Sequence, residues 1–116
     1  MDTVTFNQFS AVDIRIGTVT KADVPEWSHW VIRMEVDLGP EIGKKKAFSG
    51  IMKFFKPEDL EGKQFPFVVN LEPKKIGPEH EFSEVMMIMA VPSEDEETPT
   101  VLFKLQKKVS NGTKVR

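Results

Sequence analysis

The sequence predicts an all-β (mainly) domain: a closed barrel of five strands, one short helix between the third and fourth strands, and small extensions at both ends. Three observations predict it. Several stretches alternate apolar and polar residues with a period of two, which marks half-buried strands. The first stretch is long, and its apolar positions change parity at Gly17, as in a strand that bends and belongs to two sides of a barrel. No βαβ rhythm is present, so a parallel sheet is disfavoured.

Taken in order, Thr5 is a candidate N-cap for a single helical turn over Phe6 to Phe9, whose two phenylalanines could plug one end of the barrel. Strand one covers roughly residues 12–22. Val12, Ile14 and Ile16 share its inner face, Asp13 and Arg15 the outer. As the only cation among the first 20 residues, Arg15 reads as a structural ion-pair partner of Asp13 or another carboxylate. Pro25 ends the strand. Residues 30–38 place Trp30, Ile32, Met34, Val36 and Leu38 inward, and Arg33, Glu35 and Asp37 outward. Gly39-Pro40 and Gly43 mark a hairpin loop, and Lys44 to Ser49 follows as strand three.

Pro57 at a first helical position, Glu58 and Asp59 in the first turn, and Gly62 past the end predict a short capped helix. Residues 63–71 form strand four, with Phe65, Phe67, Val69 and Leu71 inward and Asn70 outward. Pro66 has no N–H for a ladder, so that position should face an edge or a bulge. Residues 72–84 read as a loop. Residues 85–91, VMMIMAV, are apolar on both faces, so one face should meet the core and the other an element or a second subunit. Residues 93–99 are a solvated acidic loop. Val101, Phe103 and Leu105 form the inner face of a last strand, and Asn111-Gly112 turns into a short terminal one. A helix between the third and fourth strands of a five-stranded barrel is the layout of the OB-fold.

With 116 residues the chain forms one domain, residues 1–116, and can bury a core. It has no Cys, which excludes disulfides, thiolate nucleophiles and Cys-based zinc sites and points to a cytoplasmic protein. No apolar run is long enough to span a membrane, and MDTVTFNQF has neither part of a signal peptide. The net charge of −2 hides segregation. Residues 1–43 carry −4, residues 44–75 carry +4, residues 76–99 carry −7 and residues 100–116 carry +5. The basic blocks either form one electrostatic face or remain scattered solvated surface. A pI near 5.7 argues against a protein that coats nucleic acid without specificity.

Signatures of catalysis are weak. The only histidines, His29 and His80, lie far apart in sequence with no metal-ligand spacing, and no metal or cofactor is expected. Ser49 lies in FSGI, not in a nucleophile elbow, and no phosphate loop occurs. The chain reads as a non-enzyme.

Binding signals are stronger. In an OB-fold the loops joining strands one–two and four–five flank the strand 2–3 face that binds nucleic acid. Lys45 and Lys46 fall on strand three, Lys53 shortly after it, and Lys74 and Lys75 in the loop between strands four and five. Trp27, Phe48 and Phe82 are candidate stacking platforms for bases. The alternative reading has Trp27 cover the barrel mouth and Phe48 join the core. Met86, Met87 and Met89 read as core or dimer interface, with an adaptable peptide-binding groove as the alternative.

Six motifs in order carry a resemblance: VDIRIGTV at 12–19, VDLG at 36–39, FSGI at 48–51, KPEDLEGK at 56–63, VVNLEPKKIG at 68–77 and FSEVMMI at 82–88. They resemble the tRNA-binding OB-fold domain family, in its free-standing form and as the C-terminal module of methionyl-tRNA synthetases. SEV at 83–85 and the ending NGTKV are most similar to CsaA-like export chaperones. The resemblance covers about residues 6–116 and implies a homodimer that binds tRNA or, in CsaA-like members, unfolded preproteins and the export motor. It carries Ser49 and Gly50 onto the family's Ser-Gly-Ile turn, and Asn70, Pro73, Lys74 and Lys75 onto its Asn-Leu-x-Pro-x-Lys element. Ser83 matches the serine before the apolar strand. The tRNA-binding set implied is Lys45, Lys46, Ser49, Lys53, Asn70, Lys74, Lys75 and Ser83. One departure stands out. The loop 76–82 is longer than the pattern and carries Glu79 and Glu81, carboxylates expected to weaken phosphate attraction at Lys74 and Lys75.

Overall fold

The computed structural model describes all 116 residues. A helical turn, α1 (Phe6–Ser10), precedes the long strand β1 (Ile14–Asp23), followed by β2 (Ile32–Asp37), β3 (Lys44–Ser49) and β4 (Gln64–Val68). Beyond them lie β5 (Lys74–Ile76), β6 (Glu81–Ser83), β7 (Met86–Met87), β8 (Met89–Ala90), β9 (Val101–Leu102) and β10 (Lys114–Val115).

The barrel strands run β3-β2-β1-β4-β7, all antiparallel. The amides of Glu84 and Val85, just ahead of β7, both donate to Lys46 O on β3 at 2.8 and 3.3 Å, which nearly closes the barrel. β1 serves two sides as expected. Its residues 14–18 pair with β4 and residues 18–23 with β2. Val19, Ile32, Met34, Val36, Leu38, Leu60 and Phe67 are fully buried at the centre. β2 and β3 follow the alternation closely, because their register sets Ile32 against Ser49 and Asp37 against Lys44.

At Gly17, where the parity change suggests a bulge or a sharp bend, no bulge forms and the glycine serves a close approach. A Cβ there would come 2.5 Å from Val36 Cγ1 and 2.7 Å from Leu38 Cδ2, so glycine lets β1 lie against the packed side chains of β2. The register shift falls later, between Val19 and Lys21. Thr20, the residue in between, hydrogen-bonds through its hydroxyl to Glu35 Oε1 at 2.8 Å.

Other expectations are corrected by local geometry. Thr5 caps α1 with a capping box through Gln8, but Phe6 and Phe9 stay exposed outside the barrel, beside Val12 and Val115. Trp30 is exposed too. Ser28 Oγ accepts hydrogen bonds from the amides of Trp30 and Val31, so residues 28–31 form a turn and β2 begins at Ile32. The helix after Pro57 is a single 3-10 turn, Pro57–Asp59, with Leu60 driven into the core behind it. β4 ends at Val68, because Val69 N donates to Asp13 O and Asn70 grips the chain ahead of β1; Leu71 is left exposed.

Residues 85–91 split into two strands for a reason visible at Pro66. Its carbonyl accepts from Ile88 N at 3.0 Å, but proline has no N–H to return. The ladder stops there, and β8 pairs with β9 instead. Val85 and Met87 fill the core, whereas Met86 is half exposed. In the last strand the parity is opposite to expectation: Leu102 packs on the core, and Val101 and Phe103 face out. The turn at Asn111-Gly112 leads into β10, which pairs with Ile14 and Arg15 of β1. No helix is long and apolar enough to cross a membrane.

Candidate nucleic-acid interface

The stretch expected to be a loop, residues 72–84, is instead a β-hairpin whose register sets Lys74 opposite Ser83, Lys75 opposite Phe82 and Ile76 opposite Glu81. Gly77 and His80 take positive φ in its turn, 71° and 59°. The hairpin reaches back to the barrel beside the outer face of β2 and β3. A Cβ on Gly77 would come within 2.6 Å of the Trp27 indole, so glycine is what admits this contact. Trp27 in turn tilts against Phe48, with ring centroids 6.2 Å apart. Trp27 is therefore packed between the hairpin turn and Phe48 rather than open as a stacking platform, its Nε1 buried without a hydrogen-bond partner. Ser83 Oγ accepts from Phe48 N at 3.2 Å and donates to Val85 O at 3.4 Å.

A chain of charges ties the hairpin to the sheet. On β2, Arg33 Nε donates to Asp23 Oδ1 at 2.9 Å and Nη1 to Glu81 Oε2 at 2.8 Å. From β3, Lys46 Nζ donates to Glu81 Oε1 at 3.0 Å. The Glu81 side chain is only 13% exposed. Burial acts to raise its carboxyl pKa, but the bonds from Lys46 and Arg33 outweigh it and hold the group below its ordinary 4.5. The bond to Asp23, more than the one to Glu81, raises Arg33 against its own desolvation.

The residues singled out in sequence fall into separate places. Lys45 and Lys46 are consecutive on a strand, so the pleat sends them to opposite faces. Lys45 Nζ lies 3.9 Å from Glu84 Oε2. Lys53 turns to the acidic loop, bonding Glu96 O at 3.0 Å and Glu97 Oε1 at 3.2 Å. Asn70 holds backbone with both polar atoms, Oδ1 accepting from Asp13 N at 2.9 Å and Nδ2 donating to Ala11 O at 2.6 Å. Ser49 sits half-buried at the end of β3. Lys74 and Lys75 are exposed on β5 with no carboxylate within ion-pair distance. Of the methionines, Met87 is core, Met89 packs against the core and Met86 is half exposed. No cluster of three His, Asp or Glu side chains could hold a metal ion.

The grouping that sequence reasoning missed is Arg33 with Glu81 and Lys46. Arg33 was visible as an outward residue of β2, but no local signal ties it to position 81. The expected effect of Glu81 on Lys74 and Lys75 is redirected, because its carboxylate is bound to Arg33 and Lys46.

The molecule is thus an OB-fold barrel whose hairpin, in the segment between the fourth and fifth barrel strands, is pinned beside the β2–β3 face, the face such barrels use for oligonucleotides and oligosaccharides. The chain belongs to the family described as "Putative tRNA binding domain", whose model matches residues 14–114. It is 40% identical over 114 residues to a methionine–tRNA ligase of Methanothrix thermoacetophila, covering 97% of this chain but only 16% of that protein's length. Among solved structures it is similar to the chaperone CsaA from Bacillus anthracis, at 37% identity and TM-score 0.83 over 99% of this chain and 100% of that one. It is also similar to a methionyl-tRNA synthetase-related protein from Pyrococcus horikoshii, at 31% identity and TM-score 0.85 over the full length of both.

Proposed function

We propose that the chain is a non-catalytic, cytoplasmic tRNA-binding module that works as a homodimer and recognises the shape and phosphates of tRNA. The family match carries this reading. The hairpin supplies a surface suited to it. Lys75 and Phe82 stand directly opposite each other on neighbouring strands, both exposed, pairing a free cation with an aromatic ring. Such a pair takes a phosphate and an unstacked base together. Lys74 adds a second unpaired cation, Lys46 reaches the hairpin through Glu81, and Lys45 and Lys53 are each shared with a carboxylate elsewhere. Ser49 is assigned to the same surface. Asn70 and Ser83 act by positioning, since their polar atoms hold backbone. Affinity should fall steeply with salt. Binding that stays unchanged between low and moderate salt, or in a Lys74→Glu/Lys75→Glu variant, would overturn the reading.

The homodimer is supported by apolar side chains left open outside the barrel: Met86, Val91, Val101 and Phe103. A monomeric mass at micromolar concentration would refute it.

A second reading, a CsaA-like chaperone that binds unfolded preproteins and the export machinery, is favoured by the likeness to CsaA and by the open side chain of Met86. Suppression of a client's aggregation that is lost in Met86→Ser supports it. No effect at stoichiometric ratio counts against it.

A further inference from the structure

Glu81 occupies a position suited to an anion with two oxygens. One carboxylate oxygen takes Arg33 Nη1 at 2.8 Å, and the other takes Lys46 Nζ at 3.0 Å. The two non-bridging oxygens of a phosphate can be held in the same way by an arginine and a lysine. Asp23 engages the other two guanidinium donors, Nε and Nη2, so Arg33 is oriented with Nη1 aimed at the anion whether or not Glu81 is there.

We propose that Arg33 and Lys46 form a phosphate-binding site on the β2–β3 face, and that Glu81 fills it until an RNA phosphate displaces the carboxylate. The inference rests on the RNA-binding reading and adds a competitor carried by the protein itself. Three observations support displacement. β5 and β6 pair only with each other, in a two-stranded sheet apart from the barrel, and such a pair has little stability of its own. Arg33 and Lys46 both keep solvent access, with side chains 28% and 52% exposed, so exchange of one anion for another needs no opening of the core. With Glu81 seated, the Asp23–Arg33–Glu81–Lys46 chain is neutral; with Glu81 withdrawn it carries one net positive charge, which attracts phosphate. Lys74 and Lys75 ride on the same hairpin and stay unpaired in either state.

The test compares Glu81→Gln with Glu79→Gln. Both remove one negative charge from the hairpin, but Glu79 has no ion-pair partner. Bulk tRNA should bind the E81Q chain about three- to tenfold tighter than wild type at low salt, with nearly the same salt slope, because the same phosphate is held in both complexes. E79Q should match wild type closely, and E81Q/K46Q should lose the gain. Tripolyphosphate, followed by NMR shifts at Arg33 and Lys46, gives a readout free of RNA and decides the site. Saturable binding to E81Q that is clearly tighter than to E79Q upholds it; equal binding overturns it. If tRNA binds none of these proteins while tripolyphosphate prefers E81Q, the RNA reading falls and the phosphate site stands.

Discussion

Arg15 and Arg33 lie on neighbouring strands, and each is held between two carboxylates, but the two arginines are embedded differently. Arg15 has 8% of its side chain exposed. Its guanidinium donates to both oxygens of Asp13, to Glu41 Oε2 at 3.3 Å and to Gly112 O at 3.1 Å. It thereby joins the start of β1, the β2–β3 loop and the terminal turn. The bond to Asp13 is the chief cause of its raised pKa, working against desolvation. Arg33 is more than three times as exposed, and one of its partners comes from a hairpin outside the barrel sheet. A partner supplied from outside the barrel sheet, to a side chain open to solvent, can be exchanged for a ligand. Partners that close the barrel's own corner cannot be exchanged without opening it.

The sharpest break of this comparison is Arg15→Met. Asp13, Glu41 and the Gly112 carbonyl would lose their shared donor in a covered corner, at a cost of about 2–3 kcal/mol, softened by the exposure of Glu41. Denaturant unfolding should show that loss, while tRNA affinity measured on folded protein stays near wild type. Gly17→Ala probes the same strand without touching charge. Its new methyl group meets Val36 and Leu38, and overpacking of that kind costs about 1–3 kcal/mol. Unchanged stability would mean that β1 and β2 shift apart freely.

The contrast between the two arginines also marks where sequence stops being legible. The strand containing Arg33 was readable because Ile32, Met34, Val36 and Leu38 alternate without interruption, and the span of β3 followed from its hairpin loop. The pairing of Arg15 with Asp13 was readable because both lie on one short stretch. The hairpin at 74–83 was not: its six paired residues include two lysines, a glutamate and a serine, so no apolar period marks it. Its course depends on Gly77 fitting against Trp27, a contact between residues 50 positions apart. The break at Ile88 was hidden for a similar reason, since it is caused by Pro66 on another strand. The candidate lysines were found by residue type, but which of them stay free depends on carboxylates brought from distant segments. Composition does not encode that.

Arg33→Met tests the exposed member of the pair. Arg33 makes two ion pairs, and exposed pairs contribute roughly 0–1 kcal/mol each, so unfolding should move by about 1–2 kcal/mol at most. The tRNA salt slope should instead fall by about one, as expected on losing one phosphate contact. A stability loss as large as that of Arg15→Met would erase the distinction between the two sites.

The smallest effect is in pH. The folded pKa of Glu81 lies below its ordinary 4.5, held there by Lys46 and Arg33. A depressed carboxyl contributes stability that is fully present above the ordinary value and is lost as pH falls through the folded one. Hydrogen exchange of amides 74–83 should therefore accelerate as pH drops below 4.5, once corrected for the intrinsic pH dependence of exchange, and Glu81→Gln should remove that transition. The acidic loop supplies an internal control. Bonds from Ser93 and from the Thr98 and Glu97 amides lower Asp95 to about 2, and none of them reaches the hairpin. Its turn should persist to lower pH in both proteins. If hairpin and acidic loop open together, and Glu81→Gln changes neither, Glu81 does not hold the hairpin down. The Arg33–Glu81 bond would then add nothing to the hairpin's stability.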